Sequence, residues 1–326
     1  MHHSVGSIIK NSIRKDNERL NILTFSTHER YQSNMSDIDA DFWVINNSDI
    51  KGWNLNYADI PKNHFLLNNI YSLNDIPTYL ELDIVLSQSR FSQFDFAKKI
   101  SRYFKIPLLC LEHTVMNDMT KDFVGMNGDF NVFISEFSAK SWKINKNYFV
   151  IEHGINNTVF HNKNIKRQNE ILSVVNDWIN RDFECGFKLW KEITENLPVK
   201  VVGDTPSLSA PAKNTDELVD FYNKSSIFLN TSIHSPIPTT LLEAMSCGCC
   251  VVTTSNEMIS KVIKNGENGF ISNNKEELKK YLNICLNNFE LCKQIGRNAR
   301  QTIIENFSIK DFTQNWNNIL RECIRE

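Results

Sequence analysis

Two doubly wound α/β domains are the fold this sequence predicts. Three observations lead there. Short apolar runs of strand length alternate with stretches of helical periodicity along most of the chain. The alternation restarts after a polar, Lys- and Asn-rich segment, Asn157 to Asn169, which reads as an interdomain linker. The chain is 326 residues long, enough for two domains of ordinary size, and its apolar and charged fractions, 41% and 23%, are those of a globular protein.

In the first half, Asn21 to Phe25 reads as a strand, and so do Phe42 to Ile45 and Asp83 to Leu86. A polar turn, Ser87-Gln88-Ser89-Arg90, follows the third strand, and Phe94 to Phe104 has helical spacing. Pro107 to Leu111 and Asn131 to Ile134 are two further buried strands. Near-continuous apolar strands separated by helices imply a parallel sheet covered on both faces. The second half begins after His153-Gly154-Ile155-Asn156. Ile171 to Val175 is a strand, Phe187 to Thr194 a helix, and Val199 to Val202 a strand ending at Gly203-Asp204. Glu217 to Lys224 is a helix and Ile227 to Leu229 a strand. After a turn at Asn265-Gly266-Glu267-Asn268-Gly269, Lys275 to Leu286 is a helix. The final segment, Phe307 to Cys323, spaces Phe312, Trp316, Ile319 and Leu320 as one helical face.

The most informative stretch is Ser235 to Val252: Ser-Pro-Ile-Pro-Thr-Thr-Leu-Leu-Glu-Ala-Met-Ser-Cys-Gly-Cys-Cys-Val-Val. Two prolines stiffen a loop, Thr239 or Thr240 can cap a helix, and Leu241, Leu242, Ala244 and Met245 continue it. Gly248 ends the helix, and Cys249 to Val252 read as a buried strand. A helix N-terminus leaving a rigid loop, with free N–H groups and a positive dipole end, is a site for a phosphate. Thr240-x-x-Glu243 also fits a capping box, in which Glu243 only returns a bond to the cap residue.

This run resembles the donor-site signature of retaining GT-B glycosyltransferases of the group-1, glycogen-synthase-like superfamily. That signature is Glu, seven residues, Glu, then Ala-Met and Gly. Here Glu243-Ala-Met-Ser-Cys-Gly248 is intact, while Ser235 stands where the first Glu would be. The variant Ser235-Pro236-Ile237-Pro238-Thr239-Thr240 resembles a subgroup of phage and marine bacterial sequences. The resemblance is clear in the second domain and faint before residue 80. It implies a GT-B fold of two Rossmann-like domains facing a cleft: an acceptor-side domain over 1–157, a nucleotide-sugar domain over 158–306, and a terminal helix, 307–326, crossing back to the first domain.

The resemblance also implies roles. His113, in Glu112-His113-Thr114 after a strand, matches a His set beside the transferred sugar. Arg181 matches an Arg that holds the donor diphosphate; Cys185 stands where a second cation, a Lys, would be, and Lys188 is a candidate substitute. Glu243 would bind the ribose hydroxyls, Ser235 and Ile237 would line the sugar pocket, and the Gly203-Asp204 turn would lie near the base. Thr27-His28-Glu29-Arg30 follows the first strand, where the family has a Gly-rich loop on the diphosphate and acceptor side. No glycine is present there, so Arg30 is the candidate phosphate ligand. Arg90 joins this acceptor-side set. The implied reaction is metal-independent and needs no cofactor beyond a UDP- or GDP-linked sugar as co-substrate.

Composition narrows the classes. A net charge of −2 supplies no global field toward nucleic acid or an anionic membrane. No apolar run reaches the roughly 20 residues that span a bilayer, and the start is polar, without a signal-peptide core. None of the eight cysteines forms a C-x-x-C pair, so buried, reduced thiols and a cytoplasmic setting are expected. Asp37-Ile38-Asp39-Ala40-Asp41 contains Asp-x-Asp but reads as a solvated approach to a strand. Three functions are compatible with these features. The first is transfer of a sugar to a glycan or lipid-linked acceptor, with Lys10, Arg14 and Lys15 as candidate membrane contacts. The second is a phage-type enzyme acting on hydroxymethylated DNA, whose phosphate contacts a near-neutral chain supports weakly. The third is a non-catalytic nucleotide-sugar-binding protein.

Overall fold

The computed structural model describes residues 9–10, 12–14, 18–47, 51–144 and 148–325, and they form two parallel sheets in two units. One unit takes in the chain up to Leu55, Asp59–Glu152 and everything from Lys310; the other comprises Asn56–Ala58 and His153–Ile309. Each is an α/β unit, and the sheets match the α/β class that the alternation predicts.

The first sheet has seven strands: β1 (Leu20–Phe25), β2 (Ala40–Asn46), β3 (His64–Asn68), β4 (Ile84–Ser87), β5 (Leu108–Glu112), β6 (Phe130–Phe133) and β7 (Tyr148–Val150). Their order is β3-β2-β1-β4-β5-β6-β7, with every pairing parallel. The connections carry α1 (Glu29–Ser33), α2 (Phe94–Phe104) and α3 (Glu136–Ser141). Leu23, Phe25 and Val85 of the sheet pack with Ala97 and Ile100 of α2, the apolar stripe its spacing predicts. The strand direction reverses its order of addition between β1 and β4, so the loops after these strands flank the switch point.

The second sheet contains β8 (Gln168–Val174), β9 (Val199–Val202), β10 (Ser225–Asn230), β11 (Cys250–Thr253) and β12 (Phe270–Ile271), in the order β12-β11-β10-β8-β9. Its switch point lies between β8 and β10. Around it are α4 (Asp182–Cys185), α5 (Phe187–Ile193), α6 (Thr215–Lys224), α7 (Thr239–Ser246), α8 (Ile259–Val262), α9 (Lys275–Asn287) and α10 (Phe289–Asn306). Ile171, Leu229 and Val252 meet Trp178, Trp190, Leu278 and Leu282 in its core. The eighteen-residue α10 is absent from the sequence-based assignment, as are β3 and β7. Gly296 of α10 lies so close to α7 that a Cβ there would sit 2.2 Å from the carbonyl oxygen of Gly248.

The last helix, α11 (Ile309–Arg325), belongs to the first unit. Phe312, Trp316, Ile319 and Leu320 are its buried face, and Trp316 Nε1 donates to the Tyr31 hydroxyl at 3.1 Å. Two of the basic residues considered for membrane contact are engaged elsewhere: Lys10 Nζ lies 2.9 Å from Asp83 Oδ1, and Arg14 pairs with the same carboxylate. Lys15 lies outside the described residues. Among the described residues, no helix is long and apolar enough to cross a membrane.

Candidate active site

The loops after β8 and β10 are joined at the switch point of the second sheet. Gly186, at φ +66, is where the first loop turns into α5, and a Cβ there would meet the Thr231 carbonyl at 2.2 Å. Thr231 Oγ1 donates to the Cys185 carbonyl at 3.0 Å, and the Ser235 amide donates to the Glu184 carbonyl at 3.3 Å. Asn256 Nδ2 holds the Ser235 carbonyl at 2.8 Å. The loop that carries Arg181 and the loop that carries Ser235-Pro236-Ile237 are thus one hydrogen-bonded assembly.

From it leaves α7. Pro238 is its N-cap residue, with φ −68 and ψ 134, and no side chain caps the helix. Thr239 and Thr240 are therefore its first two residues, correcting the expectation that one of them caps it. The Thr240-Glu243 capping box does not form either, because Thr240 is already inside the first turn. Proline fits the cap because its fixed φ is compatible and it has no N–H to leave stranded.

The far end of α7 is tied down. Gly248 adopts φ +83, its amide donates to the Met245 carbonyl at 2.9 Å, and the Cys249 amide donates to the Ala244 carbonyl at 3.0 Å. This is a Schellman closure. Arg300 donates to the Ser246 carbonyl and Arg167 to the Cys247 carbonyl. Two guanidinium groups thus meet the negative dipole end, while the positive end stays open to an anion. The closure leaves β11 to begin at Cys250, one residue later than the apolar run suggests.

Glu243 is 1% exposed, and its Oε2 accepts from the Tyr222 hydroxyl of α6 at 2.9 Å. This partner, on another helix, is invisible at the sequence level. Arg181 is exposed, and among the described residues its guanidinium makes no hydrogen bond or ion pair within the chain. Cys185, in the place of the family's Lys, is 4% exposed; burial raises its thiol above its ordinary pKa, and its carbonyl accepts from Trp178 Nε1 at 2.9 Å. Lys188 does not take over that position: its side chain is 85% exposed and lies 3.3 Å from Asp182 on the same surface. Gly203 is at φ +135, pressed so near the Val175 carbonyl that a Cβ would lie 2.0 Å away. The Asp204 amide donates to Asn176 Oδ1 at 2.8 Å, which fixes this turn beside the end of β8. Phe183 and His234, both exposed, stack at 4.2 Å on the same two loops, a pair the sequence reading did not single out.

In the first unit, Thr27 is spent internally: its amide donates to Gln32 Oε1 at 3.3 Å, its hydroxyl accepts from Gln93 and its carbonyl from Lys51. Glu29 is buried and ion-paired with Lys51 at 2.9 Å. Arg30 is half-buried on α1. Arg90 departs most from its expected acceptor-side role. It is 1% exposed, bonded through Nη1 to Glu112 Oε2 at 2.7 Å and through Nη2 to Asn127 Oδ1 at 3.0 Å. Its guanidinium carbon lies 4.6 Å from the Trp142 ring centroid. A buried, paired and stacked guanidinium is a structural group, so Arg90 is withdrawn as a direct acceptor ligand.

His113 does keep company with the loop after β1. Its ring lies 4.1 Å from that of His28 and 4.7 Å, edge to face, from that of Tyr31. Tyr31 is buried, which keeps its phenol protonated. The three aspartates of the Asp-x-Asp run do not converge: Asp37 pairs with Lys62 and Asp41 with Arg19, while Asp39 turns to Asn317.

One group among the described residues has metal-ligand spacing: Cys250, Cys285 and Cys292, whose sulfurs all lie within 4.8 Å. They are buried among Ile171, Leu229, Val252 and Leu278. Cys292 Sγ donates to the Cys285 carbonyl at 3.2 Å. A metal would place thiolate charge in this apolar core, and burial instead favours the neutral thiols. All eight cysteines are free and buried.

Comparison with known proteins fits this geometry. Residues 210–302 match the family model "Glycosyl transferases group 1". An uncharacterised glycosyltransferase of Haemophilus influenzae is 27% identical over 213 residues, 58% of this chain. The alignment spans 60% of that relative's length. Among solved structures, Anabaena HepE in complex with UDP has a TM-score of 0.71 at 13% identity, over 93% of this chain and 100% of that one. Sucrose-phosphate synthase of Thermosynechococcus elongatus has a TM-score of 0.71 at 12% identity, over 94% and 100%. The chain has the GT-B fold, and its residues 210–302 are similar to the glycosyl transferases group 1 family.

Proposed function

We propose that the chain transfers a sugar from a nucleoside-diphosphate donor, UDP-linked in preference to GDP-linked, to an acceptor hydroxyl on a glycan or lipid-linked sugar. The transfer retains anomeric configuration and proceeds without a metal ion. The observation that carries the reading is the bare N-terminus of α7 on a loop hydrogen-bonded to the loop of Arg181. HepE has been solved with UDP and with UDP-glucose, which supports the choice of donor.

The chemistry follows from those groups. Breaking the bond between the anomeric carbon and the diphosphate builds negative charge on the departing oxygens. The first amides of α7, its dipole and the Arg181 guanidinium stabilise that charge, and fixed donors of this kind are the largest catalytic term in many enzymes. With Cys185 turned inward, Arg181 supplies the cation that the family divides between two residues. The acceptor hydroxyl attacks the face the diphosphate leaves and gives its proton to a departing diphosphate oxygen, so no covalent intermediate is needed. Glu243 accepts from the ribose hydroxyls in addition to Tyr222, and His113 hydrogen-bonds the sugar.

The test is thermal stability of the purified chain with UDP, GDP, ADP and UDP-glucose, each with and without EDTA. A ligand at 100 times its dissociation constant adds about 2.7 kcal/mol. UDP and UDP-glucose should raise the melting temperature, and Arg181→Ala should remove most of that rise while leaving the ligand-free melting temperature unchanged. No rise with any nucleoside diphosphate would overturn the donor assignment, and a rise that EDTA abolishes would overturn metal independence.

A further inference from the structure

The buried ion pair at the end of β4 and β5 is built around the candidate sugar ligand. Arg90 Nη1 holds Glu112 Oε2 at 2.7 Å, and both side chains are 2% exposed. The other carboxylate oxygen, Glu112 Oε1, accepts from the Thr114 amide at 2.9 Å and from the Thr114 hydroxyl at 2.6 Å. The Thr114 carbonyl then accepts from Ser138 Oγ at 2.7 Å and from Trp142 Nε1 at 3.0 Å. Trp142 is fully buried and is the ring on which Arg90 lies. The residues on either side of His113 are therefore clamped by one carboxylate, and that carboxylate is fixed by Arg90. The chain of contacts closes on itself through Trp142.

We infer that Arg90, Glu112 and Thr114 are positioning residues for His113. They set the backbone of the turn after β5, and so the direction in which the imidazole leaves it, without touching a substrate. The inference rests on the role proposed for His113. A loop whose ends are bonded only to solvent would let the imidazole sample several rotamers. A turn locked on both sides holds it against His28 and Tyr31, at 4.1 and 4.7 Å. An ion pair this deep also explains why a carboxylate stands at the end of an apolar strand: it satisfies a buried guanidinium together with the amide and hydroxyl of the half-buried Thr114.

Two readouts on the full-length chain separate positioning from stability. The first is the chemical shift of the His113 Hε1 proton, which reports the ring currents of Tyr31 and His28. The second is steady-state hydrolysis of UDP-glucose, resolved into kcat and KM. Thr114→Val removes one hydroxyl from the clamp and leaves the ion pair intact. It should move the His113 resonance toward its random-coil position and lower kcat about tenfold, with KM for UDP-glucose unchanged. Thr114→Ser, which retains the hydroxyl, should restore both. Glu112→Gln should have the larger effect, but it leaves Arg90 buried without its counter-charge, so the threonine variants decide if it does not fold. A His113 resonance and a kcat both unchanged in Thr114→Val would overturn the inference. Failure of the His113 role itself gives a different pattern: His113→Ala hydrolyses UDP-glucose normally, while the resonance of His113 still moves in Thr114→Val.

Discussion

Removing the Tyr222 hydroxyl tests the most informative contact of the second unit. The Tyr222 hydroxyl donates to Glu243 Oε2 at 2.9 Å, with both residues at most 1% exposed. Tyr222→Phe deletes that donor and keeps the ring, with its contacts to Phe160 and Phe228. A hydrogen bond to a charged group contributes about 1.5–3 kcal/mol, more than a neutral one, because the carboxylate is left under-solvated without it. A loss of about 2 kcal/mol lowers the melting temperature of a unit this size by roughly 4–8 °C. Glu243→Gln keeps the volume and an acceptor for the tyrosine, so it should cost about 1 kcal/mol, the difference between a charge-assisted and a neutral bond. The assay is a double-mutant cycle by urea unfolding, with UDP affinity measured on the same four proteins. A coupling of about 1 kcal/mol or more is expected. Glu243→Gln should also weaken UDP roughly fivefold, since the ribose hydroxyls would lose a charged acceptor. Strict additivity would refute the pairing of these groups. Unchanged UDP affinity in Glu243→Gln, with the coupling present, would leave Glu243 as a helix-to-helix strut and remove it from the donor site.

Three further outcomes follow from the packing and burial. Gly296→Ala should destabilise the protein by about 1–3 kcal/mol or more, read as a lower urea midpoint, because its Cβ would lie 2.2 Å from the Gly248 carbonyl and backbone must move. Burial depresses the pKa of His153 to about 4 and of His64 to about 3. Both bind protons more readily when unfolded, so their stabilisation is complete above about pH 6.5 and drains away as pH falls through about 4. Urea midpoints at pH 7.5, 5.5 and 4.5 should decline in that order, and a midpoint constant over this range would refute the burial of both rings. Dithionitrobenzoate should react slowly with all eight thiols in the native protein and fast in 6 M guanidinium; a rapidly titrating native thiol would contradict their burial.

What the sequence made legible was whatever depends on near neighbours in the chain. The runs Leu108–Leu111 in β5 and Ile227–Leu229 in β10 are continuous in apolar residues because both faces of each strand are covered, and that pattern needs no knowledge of partners. The end of α7 was legible because only glycine accepts φ +83 without strain. Its start was not: two threonines in a row are good caps, but Pro238 takes that place and pushes both into the helix. Helix α10 had a signal, Cys292, Ile295, Ala299 and Ile303 at spacings of three and four, diluted by the Asn, Arg and Gln on its other faces. Edge strand β3 alternates His64 and Leu66 with an exposed Phe65, which reads as loop. Arg90 was read as part of a polar turn because Ser and Gln surround it. Its partner is Glu112 on the next strand, and two opposite charges at the ends of adjacent strands were the available clue.

The departures at Ser235 and Cys185 gain meaning from where the structure puts the rest of α7. An isolated eight-residue helix is marginal in water, yet this one is fixed at its C-terminal end by a Schellman closure, by Arg167 and Arg300, and by the close approach of α10 at Gly296. None of these contacts reaches its first turn. These polar ties thus lie at the end away from the candidate donor site, and the first turn, packed through the buried Leu241 and Leu242, carries no side-chain cap that an anion would have to displace. Such a frame tolerates loss of a carboxylate at 235 and of a cation at 185, because neither residue holds the helix in place. A donor site with one exposed guanidinium, Arg181, relies more on backbone amides than one with two cations. Backbone amides are screened less by salt than an exposed side chain, since they are fixed at the surface of a low-dielectric interior. UDP affinity should therefore fall by less than about threefold between 50 and 300 mM NaCl. A tenfold or greater fall would show that side-chain charge, not the helix terminus, holds the diphosphate.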